Sequence, residues 1–353
     1  MIGLGCMRLS TDKSRDDARS LAVLAEALDA GADLLDTADA YCLDDNEVGH
    51  NERLIAQALG AREQRVAGFV RPLIVTKGGL VRPDGAWVPC GRAKHLDAAA
   101  RASRQRLGEI DLYLLHAVDP KVPLATSVRA LAKLREQGVV RGIGLSNIGL
   151  HQLEQAFAIT SIDAIEIELS PWQLDPIRSG LVAACKQRGI RVLAHRPFGG
   201  PAGVKRIARD ELLAQIAARH DATPYESLLA WLRRFGVVPL PGATRIETAR
   251  SAARIVELDA DSANQLDAHF VSIAEQPAKT TTAVMVGERP SDDAPVADRE
   301  VVLIVGMPAA GKTTLAIDYA ARGYVRLNRD ERGGTLLDLA RVLDRELAAG
   351  VSR

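Results

Sequence analysis

Short apolar runs alternate with longer stretches of helical period through most of the chain. The runs are IGLGCM (2–7), DLLDTA (33–38), LIVTK (73–77), DLYLLH (111–116), VVRGIGLS (139–146), DAIEIEL (163–169), IRVLAH (190–195) and GVVPLPG (236–242). Between them lie segments whose apolar positions recur every three or four residues. In SRDDARSLAVLAEALDAG (14–31), Leu21, Leu24, Ala25 and Leu28 share one helical face and Gly31 supplies a C-cap. HLDAAARASRQRLG (95–108) and PLATSVRALAKLREQG (123–138) likewise end in glycine. Eight strands with eight helical crossovers in about 260 residues is the arithmetic of a (β/α)8 TIM barrel. A doubly wound open sheet also alternates, but rarely needs eight equal units. Near-continuous apolar strands fit a parallel sheet buried on both faces.

The alternation stops before the chain does. Residues 275–299 carry three prolines and a threonine run without helical period, and are expected to be a linker. VVLIVG (301–306) then opens a new unit. The expected organisation is a barrel over 1–274, the linker, and a partial P-loop α/β segment over 300–353. GMPAAGKT (306–313) satisfies G-x-x-x-x-G-K-[ST] between a strand-like run and a helix-like run. Gly306 and Gly311 would let backbone N–H groups cradle phosphate, Lys312 would reach the β- and γ-phosphates of ATP, and Thr313 would meet Mg.

Composition narrows the partners. The 353 residues hold 45 basic and 45 acidic side chains, for a formal net charge of zero. Nothing global draws the chain to nucleic acid or to a membrane surface. A hydrophobic fraction of 47% and a charged fraction of 25% are those of a soluble globular protein. No apolar run reaches the roughly 20 residues that span a bilayer. The N-terminus lacks the features of a signal peptide, so a cytoplasmic location is expected. Cys6, Cys42, Cys90 and Cys185 are scattered, which favours free thiols over a disulfide framework or a zinc site.

Barrel enzymes place their chemistry just past the C-terminal ends of the strands. Asp36 ends the second run and Tyr41 follows it; Lys77 ends the third and His116 the fourth. Singly, these would be an N-cap, a packing ring, a rim charge and a structural histidine. On one rim they make a proton-transfer set. A phenol titrates near 10 and is a poor acid at neutral pH. A nearby ammonium stabilises the phenolate and lowers that value, an aspartate holds the ammonium, and a histidine fixes the substrate oxygen.

GLGCMRLS, DTADAY, VTKGG, DLYLLH, GVVRGIGLSN and VVPLPGAT, taken together, resemble an aldo-keto reductase over roughly residues 1–260. The resemblance implies a barrel that binds NADPH and reduces a small-molecule carbonyl compound. Asp36, Tyr41, Lys77 and His116 would form its catalytic tetrad, with no metal in the barrel. Ser146 and Asn147 would contact the nicotinamide carboxamide. Glu166 stands where the family usually has Gln or Asn, and as a carboxylate it could accept from the amide but not donate to its carbonyl. His195 replaces the usual stacking aromatic and would titrate near neutrality. Gly242, Ala243, Thr244 and Arg245 match the stretch near the adenosine phosphate. Arg245 would clamp a 2′-phosphate, or serve only as a solvated helix-start residue. Ala252 takes the place of a frequent Asn. Trp87, Trp172 and Phe198 could wall the substrate pocket or simply pack.

Downstream of the phosphate loop, GYVRLNRDERGG (323–334) is similar to phage-type polynucleotide kinases, which implies Asp330 as base toward an acceptor hydroxyl. The family's following arginine falls on Gly333, with Arg332 one residue short. The segment offers no further strand, and about fifty residues cannot bury such a core. It is expected to be a fragment of a kinase domain, using ATP and Mg, and nucleic acid, only in a complete form. Three functions follow: a carbonyl reductase, one end of a bifunctional protein, or an NADPH-binding barrel without useful turnover. Oligomeric state is not legible.

Overall fold

In a computed structural model of the chain, the described residues are 1–275 together with Tyr319 and Leu343. The chain divides into two units, Met1–Lys279 and Thr280–Arg353. The linker and the phosphate loop with Gly306, Gly311, Lys312, Thr313 and Asp330 lie outside the described residues.

All eight expected runs become strands of one parallel sheet. In chain order these are β1 (Gly3–Gly5), β2 (Leu34–Asp36) and β3 (Leu73–Gly78), then a small antiparallel hairpin of β4 (Leu80–Val81) and β5 (Val88–Pro89). They continue with β6 (Leu112–Leu115), β7 (Gly142–Ser146), β8 (Ala164–Glu168), β9 (Arg191–His195) and β10 (Val237–Leu240). The sheet order is β1-β2-β3-β6-β7-β8-β9-β10, every pair parallel. A bridge between Gly5 and Gly242 closes the ring, with the Gly5 N–H donating to Pro241 O at 3.0 Å. Helical crossover connections join its successive strands. The hairpin after β3 was not foreseen in the sequence.

The expected helices form with ends shifted by one to three residues: Asp17–Asp29, Ala93–Leu107, which starts two residues early, and Leu124–Glu136. Asp16 caps the first by accepting from the Arg19 N–H at 2.7 Å. Gly31, at φ +87°, ends it, with Gly31 N–H bonded to Leu28 O and Ala32 N–H to Ala27 O. The buried stripe is Ser20, Val23, Leu24, Ala27 and Leu28. It shares Leu24 and Leu28 with the expected face, but Leu21 and Ala25 are only half-buried. The stripe is turned toward Val23 and Ala27, which are fully buried, while Leu21 packs at the edge of the same core cluster. The last helix, Ala260–Glu275, reaches the residue at which the linker was expected to start.

Strand side chains alternate, and that alternation builds the site. One phase of the strands, Leu35, Ile74, Tyr113, Ile143, Ile165 and Val192, packs into the apolar layers beneath the helices. The other phase fills the barrel interior with Leu34, Val75, Leu112, Leu114, Ala164, Leu193, Val238 and Leu240. Two residues beyond members of that interior set stand Asp36, Lys77, His116, Glu166 and His195. The interior is therefore apolar below and polar at the C-terminal rim.

Space inside the ring is tight. A Cβ at Gly144 would overlap the backbone oxygen of Ala164 and the side chain of Leu114. Gly144→Ala should destabilise the barrel by about 1–3 kcal/mol through overpacking. The urea midpoint should fall with its slope unchanged. A midpoint equal to wild type would show that the β7–β8 pair has room to spread.

Candidate active site

The polar rim centres on Lys77, whose side chain is 0% exposed. β3 carries it into the interior in phase with Val75, two residues below. Its Nζ donates to Asp36 Oδ1 at 2.5 Å, to Thr37 O at 3.0 Å and to Tyr41 Oη at 3.2 Å. Glu166 Oε2 lies 3.1 Å from the same nitrogen. Asp36, Tyr41, His116 and Glu166 are all buried. The His116 ring meets the Tyr41 ring edge-on at 5.5 Å between centroids. All four residues of the expected tetrad thus come together, and Glu166 joins them.

Burial sets the proton affinities. Burial by itself would lower Lys77, but Asp36, Glu166 and Tyr41 outweigh it and hold the ammonium well above its ordinary value. Burial raises Asp36, with Lys77 opposing. Burial, reinforced by the Asp36 charge, pushes Glu166 up to about 8. Tyr41 is raised as well: burial outweighs the pull of Lys77, and Asp36 and Glu166 add to it. The expected lowering of Tyr41 by Lys77 is therefore reversed in the free protein, because desolvation of the phenolate exceeds the ammonium's attraction. His116 is held well below the usual imidazole range, first by burial and then by the charge of Lys77.

The next residues along the rim form a chain of contacts. Asn147, at φ +58° just past β7, donates through Nδ2 to His116 O at 3.1 Å and to Ser146 Oγ at 3.0 Å. Its Oδ1 lies 3.0 Å from His195 Nε2, so the imidazole donates there as the Nε2–H tautomer. Burial, then Lys77 and Arg196, push His195 down to about 4. The near-neutral titration expected for it is thereby corrected. Ser146 pairs with Glu166 across β7 and β8.

The remaining expected cofactor residues follow β10. Gly242 is exposed at the closing bridge, Ala243 is buried, and Thr244 is half-buried. Arg245 is exposed at the N-cap of the helix Ile246–Ala253, and its N–H meets Thr248 Oγ1 at 3.3 Å. Ala252 is buried against the helix Asp17–Asp29. Of the three aromatic residues considered as pocket walls, Trp87 stands at the site, 6.3 Å from the Tyr41 ring and 6.2 Å from that of His116. The hairpin β4–β5 carries it, and the Arg82 guanidinium stacks on it at 3.6 Å. Phe198 packs edge-on against Tyr225, and Trp172 lies under Arg206.

Several supporting residues gave no sequence signal. Asn51 Nδ2 donates to Cys6 O at 2.9 Å and Ser10 Oγ at 2.7 Å, while Thr37 Oγ1 donates to Asn51 Oδ1 at 2.6 Å. One amide thereby ties the segment after β1 to the backbone that supplies Thr37 O to Lys77. Glu52, fully buried, accepts from Thr76 Oγ1 at 2.6 Å and from Arg106 at 2.5 Å. Among the described residues no group of three or more His, Cys, Asp or Glu side chains is placed to hold a metal. No helix among them is long and apolar enough to cross a membrane.

The chain matches the family model of the aldo/keto reductase family over residues 1–270. It is similar to a thermostable aldo-keto reductase solved with the inhibitor epalrestat: 30% identity, 76% of this chain and 94% of that one, TM-score 0.62. An aldo-keto reductase of Bombyx mori in complex with NADP shares the fold at 22% identity, covering 76% and 88% of the two chains, TM-score 0.61. Aldose reductase from Giardia lamblia does so at 21% identity, covering 77% and 92%, TM-score 0.63. The chain belongs to the aldo/keto reductase family and is an oxidoreductase.

The histidine shift is directly measurable. The His195 ring signals should titrate with a midpoint near 4, more than two units below an ordinary imidazole. The unfolded chain binds that proton from about 6.5 downward, so this group lowers stability as pH falls through 6.5 toward 4. A midpoint near 6.5 would mean the ring is hydrated.

Proposed function

We propose that this protein reduces an aldehyde or ketone to an alcohol with NADPH, and that Tyr41 is the general acid. The observation that carries the reading is the buried cluster itself, in which Lys77 Nζ, paired with Asp36 at 2.5 Å, donates to Tyr41 Oη at 3.2 Å. Each partner has a distinct use. Asp36 keeps Lys77 charged and aimed. Lys77 stabilises the phenolate that remains when Tyr41 gives up its proton. The raised proton affinity of Tyr41 keeps it protonated until an oxygen more basic than phenolate, the developing alkoxide, forms beside it. His116 stays neutral at working pH, which suits a donor to a carbonyl oxygen.

The rim fits a nicotinamide cofactor. His116 Nδ1 and Glu166 Oε2 are buried polar atoms without hydrogen-bond partners, and they flank the row Ser146, Asn147 and His195. When bound, the reduced nicotinamide supplies the hydride. Ser146 and Asn147 would hold its carboxamide, and the neutral His195 ring, fixed by Asn147, would stack on it. Gly242, Ala243, Thr244 and Arg245 would take the adenosine end. Arg245 has no ion-pair partner among the described residues, whereas Arg250 and Arg254 on the same stretch pair with Glu26 and Glu226. That free guanidinium supports a 2′-phosphate contact and hence NADPH over NADH. The NADP in the Bombyx mori relative supports the same choice. Trp87 would wall the pocket for the carbonyl compound. A second reading, a bifunctional protein whose complete form adds an ATP- and Mg-dependent kinase, rests on the loop containing Gly306, Gly311, Lys312 and Thr313, with Asp330 downstream.

NADPH oxidation with a panel of aldehydes and ketones tests the reading. Tyr41→Phe should lower turnover by at least about 100-fold while NADPH binding stays within a factor of two or so. Retention of more than about a tenth of wild-type turnover would remove Tyr41 from its role.

Cofactor choice has its own test. Arg245→Ala should weaken NADPH by about tenfold or more and leave NADH nearly unchanged. Equal losses for both nucleotides in a binding titration would show that Arg245 does not contact the 2′-phosphate.

A further inference from the structure

A lysine ammonium has three N–H groups, and Lys77 has four oxygens around it. Asp36 Oδ1, Thr37 O and Tyr41 Oη take the three hydrogens. Glu166 Oε2 stands at 3.1 Å as a fourth neighbour outside hydrogen-bond geometry, and the Glu166 and Asp36 carboxyls also interact through a side-chain hydrogen bond. An unpaired carboxylate oxygen in such a place would carry the full penalty of desolvation. The position has one use that the other three lack. When Lys77 passes a hydrogen to Tyr41, its nitrogen is left with a lone pair that rotation about Cε–Nζ turns toward Glu166 Oε2, 3.1 Å away.

We propose that Glu166 works as a carboxylic acid that stores the proton returned through Lys77 to Tyr41 after each reduction. The inference rests on the carbonyl-reductase reading above. The carbonyl carbon gains hydride and its oxygen takes the Tyr41 Oη–H. A Lys77 Nζ–H then moves to the phenolate, and the Glu166 O–H moves to Nζ. Glu166 is left as a carboxylate and is reprotonated from solvent before the next cycle, once product and cofactor have left the rim. One proton is consumed per alcohol formed, as the net reaction requires. Glu166 meets neither the carbonyl nor the hydride in this sequence; it is a positioning residue that acts through Lys77.

The surroundings allow this. Asp36 faces the cluster from β2, Lys77 from β3, Tyr41 from the segment after β2, and Ser146 from β7. His116 follows β6, His195 ends β9, and Cys6 follows β1. Both histidines are neutral and burial holds the Cys6 thiol protonated, so the fixed charges are Lys77 and Asp36. A second anion at Glu166 would leave the buried cluster with a net negative charge. Burial and the Asp36 charge raise Glu166 to about 8, with Lys77 opposing. The acid is thus intact at neutral pH, and its supply fails as pH rises through about 8.

Protein labelled with 13C at glutamate side-chain carboxyls allows the free protein to be titrated, with Glu166 assigned by the signal missing in Glu166→Gln. The expected midpoint is near 8. A midpoint in the ordinary carboxylate range of about 4 to 5 overturns the proposal without any assay of activity. In steady state, wild-type kcat should decline above that midpoint. Glu166→Gln should be slower by about tenfold or more at neutral pH and should lose the decline. Its loss should be smaller in the first turnover than in the steady state, because Tyr41 starts protonated. A variant that keeps the wild-type pH profile and turnover also overturns the proposal. If Glu166→Gln does not fold, 13C spectra of Glu166→Asp assign the signal, and the titration decides alone. Failure of the parent reading is separate, since it would show as an active Tyr41→Phe.

Discussion

Lys77 holds a positive charge where water does not reach, and the rest of the site is arranged around that fact. Transferring an ammonium from water into a protein interior carries a penalty of several kcal/mol. Here it is offset by a carboxylate at 2.5 Å, a backbone carbonyl at 3.0 Å, a phenol at 3.2 Å and a carboxyl at 3.1 Å. Losing Asp36 would leave the charge unbalanced in a medium that screens it poorly, and losing another partner would leave it less well solvated. Lys77 stands on β3 and its partners come from β2, the segment after it and β8, so the cluster exists only when the ring is assembled. Asn51 matters for the same reason. It fixes the segment containing Thr37, and with it one of the three hydrogens of Lys77 has a stable acceptor.

The barrel supplies this arrangement through a simple periodicity. Successive side chains on a strand alternate between the interior and the helices, so a polar residue two places past an interior apolar one enters the same space one layer higher. Leu34 and Asp36, Val75 and Lys77, Leu114 and His116, Ala164 and Glu166, and Leu193 and His195 all follow this rule. The lower layer excludes water from beneath, and the upper layer inherits a low dielectric. That environment raises Glu166 and Tyr41 and lowers His116 and His195.

This periodicity is why much of the architecture was legible in the sequence. The apolar runs marked the eight strands, and the rule that chemistry sits past strand ends singled out Asp36, Tyr41, Lys77 and His116. Other features escaped because they depend on where distant segments meet. Asn51 and Glu52 open a helix and read as ordinary polar residues, yet both are buried by partners from other strands and helices. The hairpin that lifts Trp87 over the site has strands of two residues, too short for any period to show. The turned stripe of the helix Asp17–Asp29 has the same origin, since spacing alone cannot tell two adjacent apolar faces apart. Ionisation states were the least legible. Tyr41 beside a lysine was expected to be acidified and His195 to titrate near neutrality. Both expectations took neighbouring charge or intrinsic chemistry as decisive, whereas desolvation is the first cause in each case.

Desolvation also determines how protons travel. A fully exposed tyrosine would recover its proton from water and need no relay. Tyr41 is buried, with Lys77 as a hydrogen-bond donor to its oxygen, so under the proposed reading a proton given to substrate would be restored through that contact. Lys77 in turn is wholly enclosed, and a hydrogen that leaves it must be replaced by a group within its own cage. Thr37 offers only a carbonyl, and the Asp36 carboxylate is the partner that keeps the ammonium charged. Glu166 is the remaining oxygen, raised to a range where it keeps its proton at neutral pH yet releases it readily to an amine. The same burial that weakens Tyr41 as an acid in the free protein thus keeps the replacement proton at the end of a two-step path.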